Sequence, residues 1–315
     1  MGVAASPKSI GPPSAHAHDP GETKHRERKR AHLKSKITRV SGPDSAEIMV
    51  LPPAGSRVPS LFRNVISSGK VYRSILSQIQ KFRGGVYWED GAIAPDELSA
   101  DGRHILAIDD RSWHVIAVEK NGEISGCLRF LEESTATRFD DLWLRQAAVA
   151  NCPSAGPGVR RAIEDEMARA RKERVRFGEV GGWAISAHRR CGWEALRIVL
   201  STYGLLQLLG GCIGMATATV RHGSADILRK IGLSRLFAGE VPLAPYYDPQ
   251  YGCLMEMLTF DSRRANGRFM DWIEQLASHL TTASVIASEP AHRPQIPNSV
   301  PADFVRPVLA QTAVA

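Results

Sequence analysis

The chain has 315 residues, 43% of them hydrophobic, and carries 40 Lys and Arg against 33 Asp and Glu for a formal charge of +7. That length and content suffice for a sizeable buried core, as one large domain or two small ones. Residues 1–40 hold nine Lys or Arg and three acids, so six of the seven excess charges lie in that tail. The near-neutral remainder excludes a folded surface built to neutralise a phosphate backbone.

The basic run 24–36 reads as a solvated segment, with contact to an acidic partner or a membrane surface as the alternative. No specific nucleic-acid partner is expected. Five scattered cysteines (Cys127, Cys152, Cys191, Cys212, Cys253) form no C-x-x-C pair and no metal-ligand spacing, which predicts a reducing, cytoplasmic compartment, buried thiols and no metal. The first twenty residues lack a continuous apolar stretch, so no signal peptide is expected. Residues 198–220 carry no charge, but four glycines interrupt them and their pattern changes from helical to strand-like. A buried helix and strand is therefore expected, with no transmembrane segment.

Residues 1–57 read as a disordered basic tail, 282–315 as a disordered Pro- and Ala-rich tail, and 58–281 as the folded domain. Apolar spacing predicts a helix over 61–82, interrupted at Gly69. Three β-rich runs follow at 104–108, 113–119 and 123–130, the last two joined by an Asn121-Gly122 hairpin turn. An amphipathic helix at 158–174 leads into a strand at 177–185. A helix at 194–209 stops at Gly210-Gly211 and precedes a buried strand at 212–220. A short helix at 224–231, a strand at 253–260 and a helix marked by Phe269, Trp272, Ile273, Leu276 and Leu280 complete the order. Such an order predicts an α/β fold, a mixed sheet with helices on both faces.

From Glu179 the sequence reads Glu-Val-Gly-Gly-Trp-Ala-Ile-Ser-Ala-His-Arg-Arg-Cys-Gly-Trp-Glu-Ala, a strand and an Arg- and Gly-rich turn that opens a helix. Backbone N–H groups at such a helix start can receive a phosphate. The segment resembles the central motif of GNAT acyltransferases, in which an acid begins the fourth strand and an R-x-x-G-x-G/A turn grips the pantetheine pyrophosphate. Arg189, Arg190 and Gly192 fit that turn, and Glu194 replaces its small third residue. Residues 225–233 resemble the family's A-x-x-L-Y-x-K-x-G-F helix, with Leu228 where many members have the Tyr that protonates the departing thiolate. Residues 122–131 are similar to the G-x-V-x-G-x-x-R-L-L strand of acyl-homoserine-lactone synthases, a GNAT branch that uses acyl carrier protein. The overall resemblance, over about residues 61–261, is to that branch and to the related N-acyl amino acid synthases.

The resemblance implies a GNAT-like N-acyltransferase fold and transfer of an acyl group, long-chain by expectation, to the amine of an amino acid or related small molecule. The co-substrate would be an acyl-phosphopantetheine thioester on acyl carrier protein or CoA, with no permanently bound cofactor. An ammonium acceptor must lose a proton before it attacks, which makes Glu179 the candidate base; a solvent-facing strand acid is the alternative. A backbone N–H among Trp183, Ala184 and Ile185 would bind the oxyanion. Arg129, amid apolar neighbours, must pair with a carboxylate, either the acceptor's or a structural one. Arg189, Arg190, Gly192 and Arg197 are the candidate donor-binding residues, for phosphate or acidic carrier side chains. Glu194 would put a carboxylate at the mouth of that site and favour the carrier protein over CoA, with a solvent-facing position or a pair with one of those arginines as the alternative. Tyr246, Tyr247 and Tyr251 would wall the acceptor pocket or supply the missing acid, with loop packing as the plainer role. His104, His114, His188 and His222 read as packed or surface residues. A GNAT-shaped binding protein without turnover is the competing reading.

Overall fold

The computed structural model describes residues 45–288, apart from Cys191. The outer parts of both expected tails lie outside the described residues.

The described residues form a mixed ten-stranded sheet, an α/β arrangement of the kind expected. Its central meander is β3 (Ser112–Val118), β4 (Ile124–Glu133) and β5 (Arg176–Ile185), antiparallel throughout, with the expected Asn121-Gly122 turn joining the first two. β6 (Cys212–Thr219) runs parallel to β5, and β11 (Cys253–Asp261) and β10 (Tyr246–Asp248) extend the sheet antiparallel. β7 (Ser234–Arg235) also pairs with β11, and β8 (Phe237–Ala238) with β9 (Val241–Pro242) forms a separate hairpin.

The sheet continues past β3 through β1 (Glu47–Leu51), β12 (Ser284–Ala287) and β2 (Asn64–Ser67). The expected bounds of 58–281 are therefore too narrow at both ends. β1 pairs with β3 on one side and β12 on the other, and Ile48, Val50 and Leu51 are fully buried. A five-residue strand is too short to show a period, and its partners lie far away in sequence.

The helix expected over 61–82 is instead strand β2 followed by α1 (Gly69–Glu89). Ser68 caps α1 by accepting a hydrogen bond from Val71 N, so Gly69 starts the helix rather than breaking it. The run 104–108, expected as a strand, is a loop. His104 and Ile108 are buried there without a strand partner because the chain turns to bring Asp109 onto α1.

Three consecutive 3₁₀ turns, Phe139–Asp141, Trp143–Gln146 and Ala148–Asn151, form a strap between β4 and α2 (Gly156–Glu173). α2 buries Val159, Ile163, Met167 and Ala170 against Phe177, Ile213, Met215 and Met257. Burying each of the larger of these side chains contributes about 1.5–3 kcal/mol. α1 packs on the sheet through Ile75, Leu76 and Ile79 against Ile116, Cys127 and Ala184. α3 (Trp193–Leu208) lies on the opposite face, where Ile198 Cδ1 would be 2.1 Å from a Cβ at residue 126; only Gly126 permits that approach. α5 (Gly267–Leu280) packs on α3. The uncharged stretch from 198 is the buried helix and strand expected, and among the described residues no helix is long and apolar enough to cross a membrane.

Candidate active site

The parallel pairing of β5 and β6 runs from Arg176↔Cys212 to Val180↔Ala216 and stops. Beyond that point both strands line a cavity of about 450 Å³. The opening follows from a bulge: Arg129 faces Gly181 and Cys127 faces Ala184, so β5 carries an extra residue between them. Gly182 takes φ +64° there, a conformation that disfavours any side chain. Trp183, Ala184 and Ile185, the expected oxyanion segment, lie along the cavity immediately after the bulge. A bulge frees backbone N–H groups from the ladder, which is the geometry an oxyanion donor requires.

One end of the cavity is charged. Arg83, at the buried spacing of α1, donates from Nη1 to Asp109 Oδ1 at 2.9 Å and from Nη2 to Asp109 Oδ2 at 2.8 Å. It also donates to the His104 carbonyl at 2.5 Å and to His104 Nδ1 at 3.4 Å. Gln80 adds a bond to Asp109 Oδ2 at 3.0 Å, and His114 Nε2 donates to the Asp109 carbonyl at 2.9 Å. Burial opposes the Asp109 charge, but the Arg83 bonds and charge outweigh it and hold the carboxyl at about 2. Burial likewise keeps His104 and His114 neutral, each pushed down to about 4.

Arg129 shares this cluster without sharing its bonds. It is 5% exposed, and its Nη1 approaches Asp109 Oδ1 at 3.7 Å. Nε and Nη1 have no hydrogen-bond partner among the described residues. One carboxylate, already chelated by Arg83, thus faces two buried guanidinium groups. Burial and then the Arg83 charge lower the proton affinity of Arg129, yet a guanidinium stays charged.

Glu179 is also buried and lines the cavity, so the alternative of a solvent-facing acid is set aside. Oε1 accepts from Trp143 N and Oε2 from Leu144 N, both at 2.8 Å, and the strap is thereby tied to β5. Each oxygen keeps a further lone pair for a ligand. Burial, then the Glu133 charge, push the carboxyl up to about 7 against the pull of the two N–H groups and Arg129.

The donor turn differs from expectation. Arg189 is held by Glu119 through Nε at 2.9 Å and Nη2 at 2.7 Å. Arg197 is buried against Glu194 at 3.2 Å and the Ala46 carbonyl at 2.5 Å, within the protein and away from the cavity. Both the donor role expected of Arg197 and the mouth position expected of Glu194 are corrected by this pair. The inference from Glu194 to a carrier-protein preference falls with it. Gly192 caps α3, and Arg190 does line the cavity, with Nη1 on Asp90 at 2.6 Å and Nε on the Ile185 carbonyl at 3.1 Å. Arg190 Nη2 has no partner among the described residues.

Tyr246 and Tyr251 line the cavity, whereas Tyr247 is 61% exposed and does not, because successive strand residues point to opposite faces. The Tyr246 hydroxyl is buried without a partner among the described residues, and burial pushes its phenol up. Leu228 of α4 (Ser224–Ile231) is buried at the cavity wall beside Leu128, Val180 and Ala216. A further void of about 20 Å³ lies beyond those walls toward Tyr203 and Phe260. Among the described residues no cluster of His, Cys, Asp or Glu could hold a metal ion.

Arg83, Asp109 and the strap were not among the residues expected from the sequence, whereas Asp248 lies within the expected Tyr246–Tyr251 cluster. For Arg83 a signal was present: it continues the buried spacing Tyr72, Leu76, Ile79, and an arginine in an apolar stripe needs a partner.

No family model and no curated protein matches this sequence. Solved structures do match. The CoA-dependent acyl-homoserine lactone synthase BjaI, solved with SAM and isopentyl-CoA, is 14% identical over 84% of this chain and 99% of its own, with a TM-score of 0.47. The likeness is one of fold. TofI, in a ternary complex with an inhibitor and MTA, is 17% identical over 74% of this chain and 99% of its own at a TM-score of 0.44. FeeM, an N-acyl amino acid synthase from uncultured soil microbes, is 10% identical over 59% and 83%, at a TM-score of 0.38.

Proposed function

We propose that the protein is an acyltransferase that moves an acyl group from a pantetheine thioester, carried by acyl carrier protein or CoA, onto the amine of a carboxylate-bearing small molecule such as an amino acid. The observation that carries this reading is Arg129: a buried cation on the cavity wall whose neighbouring carboxylate, Asp109, is already chelated by Arg83, so that an anion from outside the chain would balance its charge. A carboxylate would supply that charge.

With that carboxylate on Arg129, the neighbouring ammonium falls within the pocket that Glu179 lines. Glu179 takes the proton, the amine attacks the thioester carbon, and the new C–N bond forms as the oxyanion develops against the bulge N–H groups. The C–S bond then breaks, the thiolate takes up the second proton that the attacking nitrogen sheds as the amide forms, and the first passes from Glu179 to solvent. Leu128, Val180, Met215, Ala216 and Leu228 provide an apolar wall for the acyl chain, and Arg190 and the start of α3 suit the donor phosphate.

Thiol release can be followed with acyl-CoA and acyl carrier protein donors against a panel of amino acids and their decarboxylated amines, with mass spectrometry of products. Turnover confined to carboxylate-bearing acceptors is the expected result. Silence with both donors would overturn the reading. It would favour a ligand-binding protein without turnover, the one observation behind that alternative being apolar Leu228 in place of an acid.

A further inference from the structure

The strap is fixed at three places of unequal strength. At its start Asp140 receives Arg160 of α2 at 3.0 and 2.9 Å, but that pair is exposed and worth little. At its middle the Trp143 and Leu144 N–H groups bind Glu179. At its end Ala148 N donates to Asp248 Oδ2 at 3.3 Å. Asp248, 5% exposed on β10, is itself oriented by Gln250 N at 3.1 Å to Oδ1. Asn151 stiffens the stretch between the two carboxylates by donating to the carbonyls of Arg145 at 2.8 Å and Ala147 at 3.1 Å.

We propose that Asp248 is a positioning residue for Glu179: it anchors the end of the strap and so keeps the Trp143 and Leu144 N–H groups on the Glu179 carboxylate. This rests on Glu179 acting as the base proposed above. The consequence is chemical as well as structural. Hydrogen bonds to a carboxylate favour its charged form, and without them burial and Glu133 act on Glu179 opposed by Arg129 alone. Glu133 and Arg129 both come from β4; β6, on the other side, places Met215 opposite Glu179, and α2 faces this region with Ile163 and Met167. A base is useful only while ionised, so a loosened strap would move the working range of Glu179 to higher pH.

The test uses the full chain and three variants. Asp248→Ala removes the anchor, Asp248→Asn keeps an acceptor oxygen, and Ala148→Pro removes only the N–H. Proline is tolerated at the first position of a helical turn, and Ala147, at φ −56° and ψ 138°, already has the extended conformation that precedes it. Two quantities are read: the acid limb of the kcat/KM profile, and the Glu179 carboxyl titration by difference infrared spectroscopy against Glu179→Gln. Asp248→Ala and Ala148→Pro are expected to raise both midpoints by about one pH unit, with Asp248→Asn close to wild type. Unmoved midpoints in folded Asp248→Ala or Ala148→Pro would overturn the proposal. The infrared titration stands even if no acyl transfer is found, so failure of the activity reading and failure of the anchor are distinguishable.

Discussion

The donor turn and the charged end of the cavity both concentrate arginine, and they treat it in opposite ways. At the turn Arg189 has Glu119, Arg190 has Asp90 and Arg197 has Glu194. At the charged end two buried arginines meet one aspartate, and Arg83 takes both of its oxygens. An arginine motif therefore says little about ligand binding until its carboxylates are counted. Arg83 belongs to the fold, and Arg129 is the arginine proposed for the ligand.

The largest effect expected from that contrast is on stability. Arg83→Leu leaves Asp109 buried with the more distant Arg129 in place of its chelating cation and should cost about 3–5 kcal/mol in denaturant unfolding. A loss under about 1 kcal/mol would mean that Arg129 replaces Arg83 and that the two are equivalent. The same pair sets an acid limit. Because the Asp109 carboxyl sits at about 2, below its unfolded value, its contribution is present above the ordinary carboxylate range and lost as pH falls toward 2. Unfolding midpoints measured between pH 5 and 2 should show that loss in the wild type and not in Arg83→Leu.

Next in size is Glu179→Gln, expected to lower kcat by roughly a hundredfold or more while the protein stays folded. The wild-type kcat/KM should fall below about pH 7, where Glu179 takes up its proton. A profile flat down to pH 5.5 would remove Glu179 from the mechanism. The smallest effect belongs to Tyr247→Ala: its side chain stands outside the cavity, so acceptor KM should stay within about twofold of wild type, as for surface substitutions generally. A larger change would bring the β10 edge into the site.

Much of this was legible from the residues alone. The Asn-Gly hairpin, the amphipathic helix of Val159 and Ile163, and the helix and strand around Gly210-Gly211 are local patterns, and each formed where its period pointed. β1 and β12 were not legible because each is a short run whose hydrogen bonds go to strands remote in sequence. His104 and Ile108 read as a strand because burial alone leaves an apolar signature, whatever the backbone does. Glu179 and Arg129 were recognisable within motifs, but which arginine keeps unpartnered nitrogens depends on side chains from four elements. No spacing rule carries that information, whereas the Glu194–Arg197 pair sits at i, i+3 on one helix and was legible as the alternative for Glu194.

The most direct test of the central claim is acceptor selectivity in Arg129→Leu. The measurement is kcat/KM for one amino acid and for its decarboxylated amine, in wild type and variant, alongside unfolding free energies. Wild type should prefer the amino acid by about tenfold to a hundredfold, the worth of a charged hydrogen bond of about 1.5–3 kcal/mol. In Arg129→Leu that preference should collapse toward unity with no loss of stability, since an unpaired buried charge has been removed. An Arg129→Leu enzyme that retains the preference, or a wild type that has none, would contradict that claim.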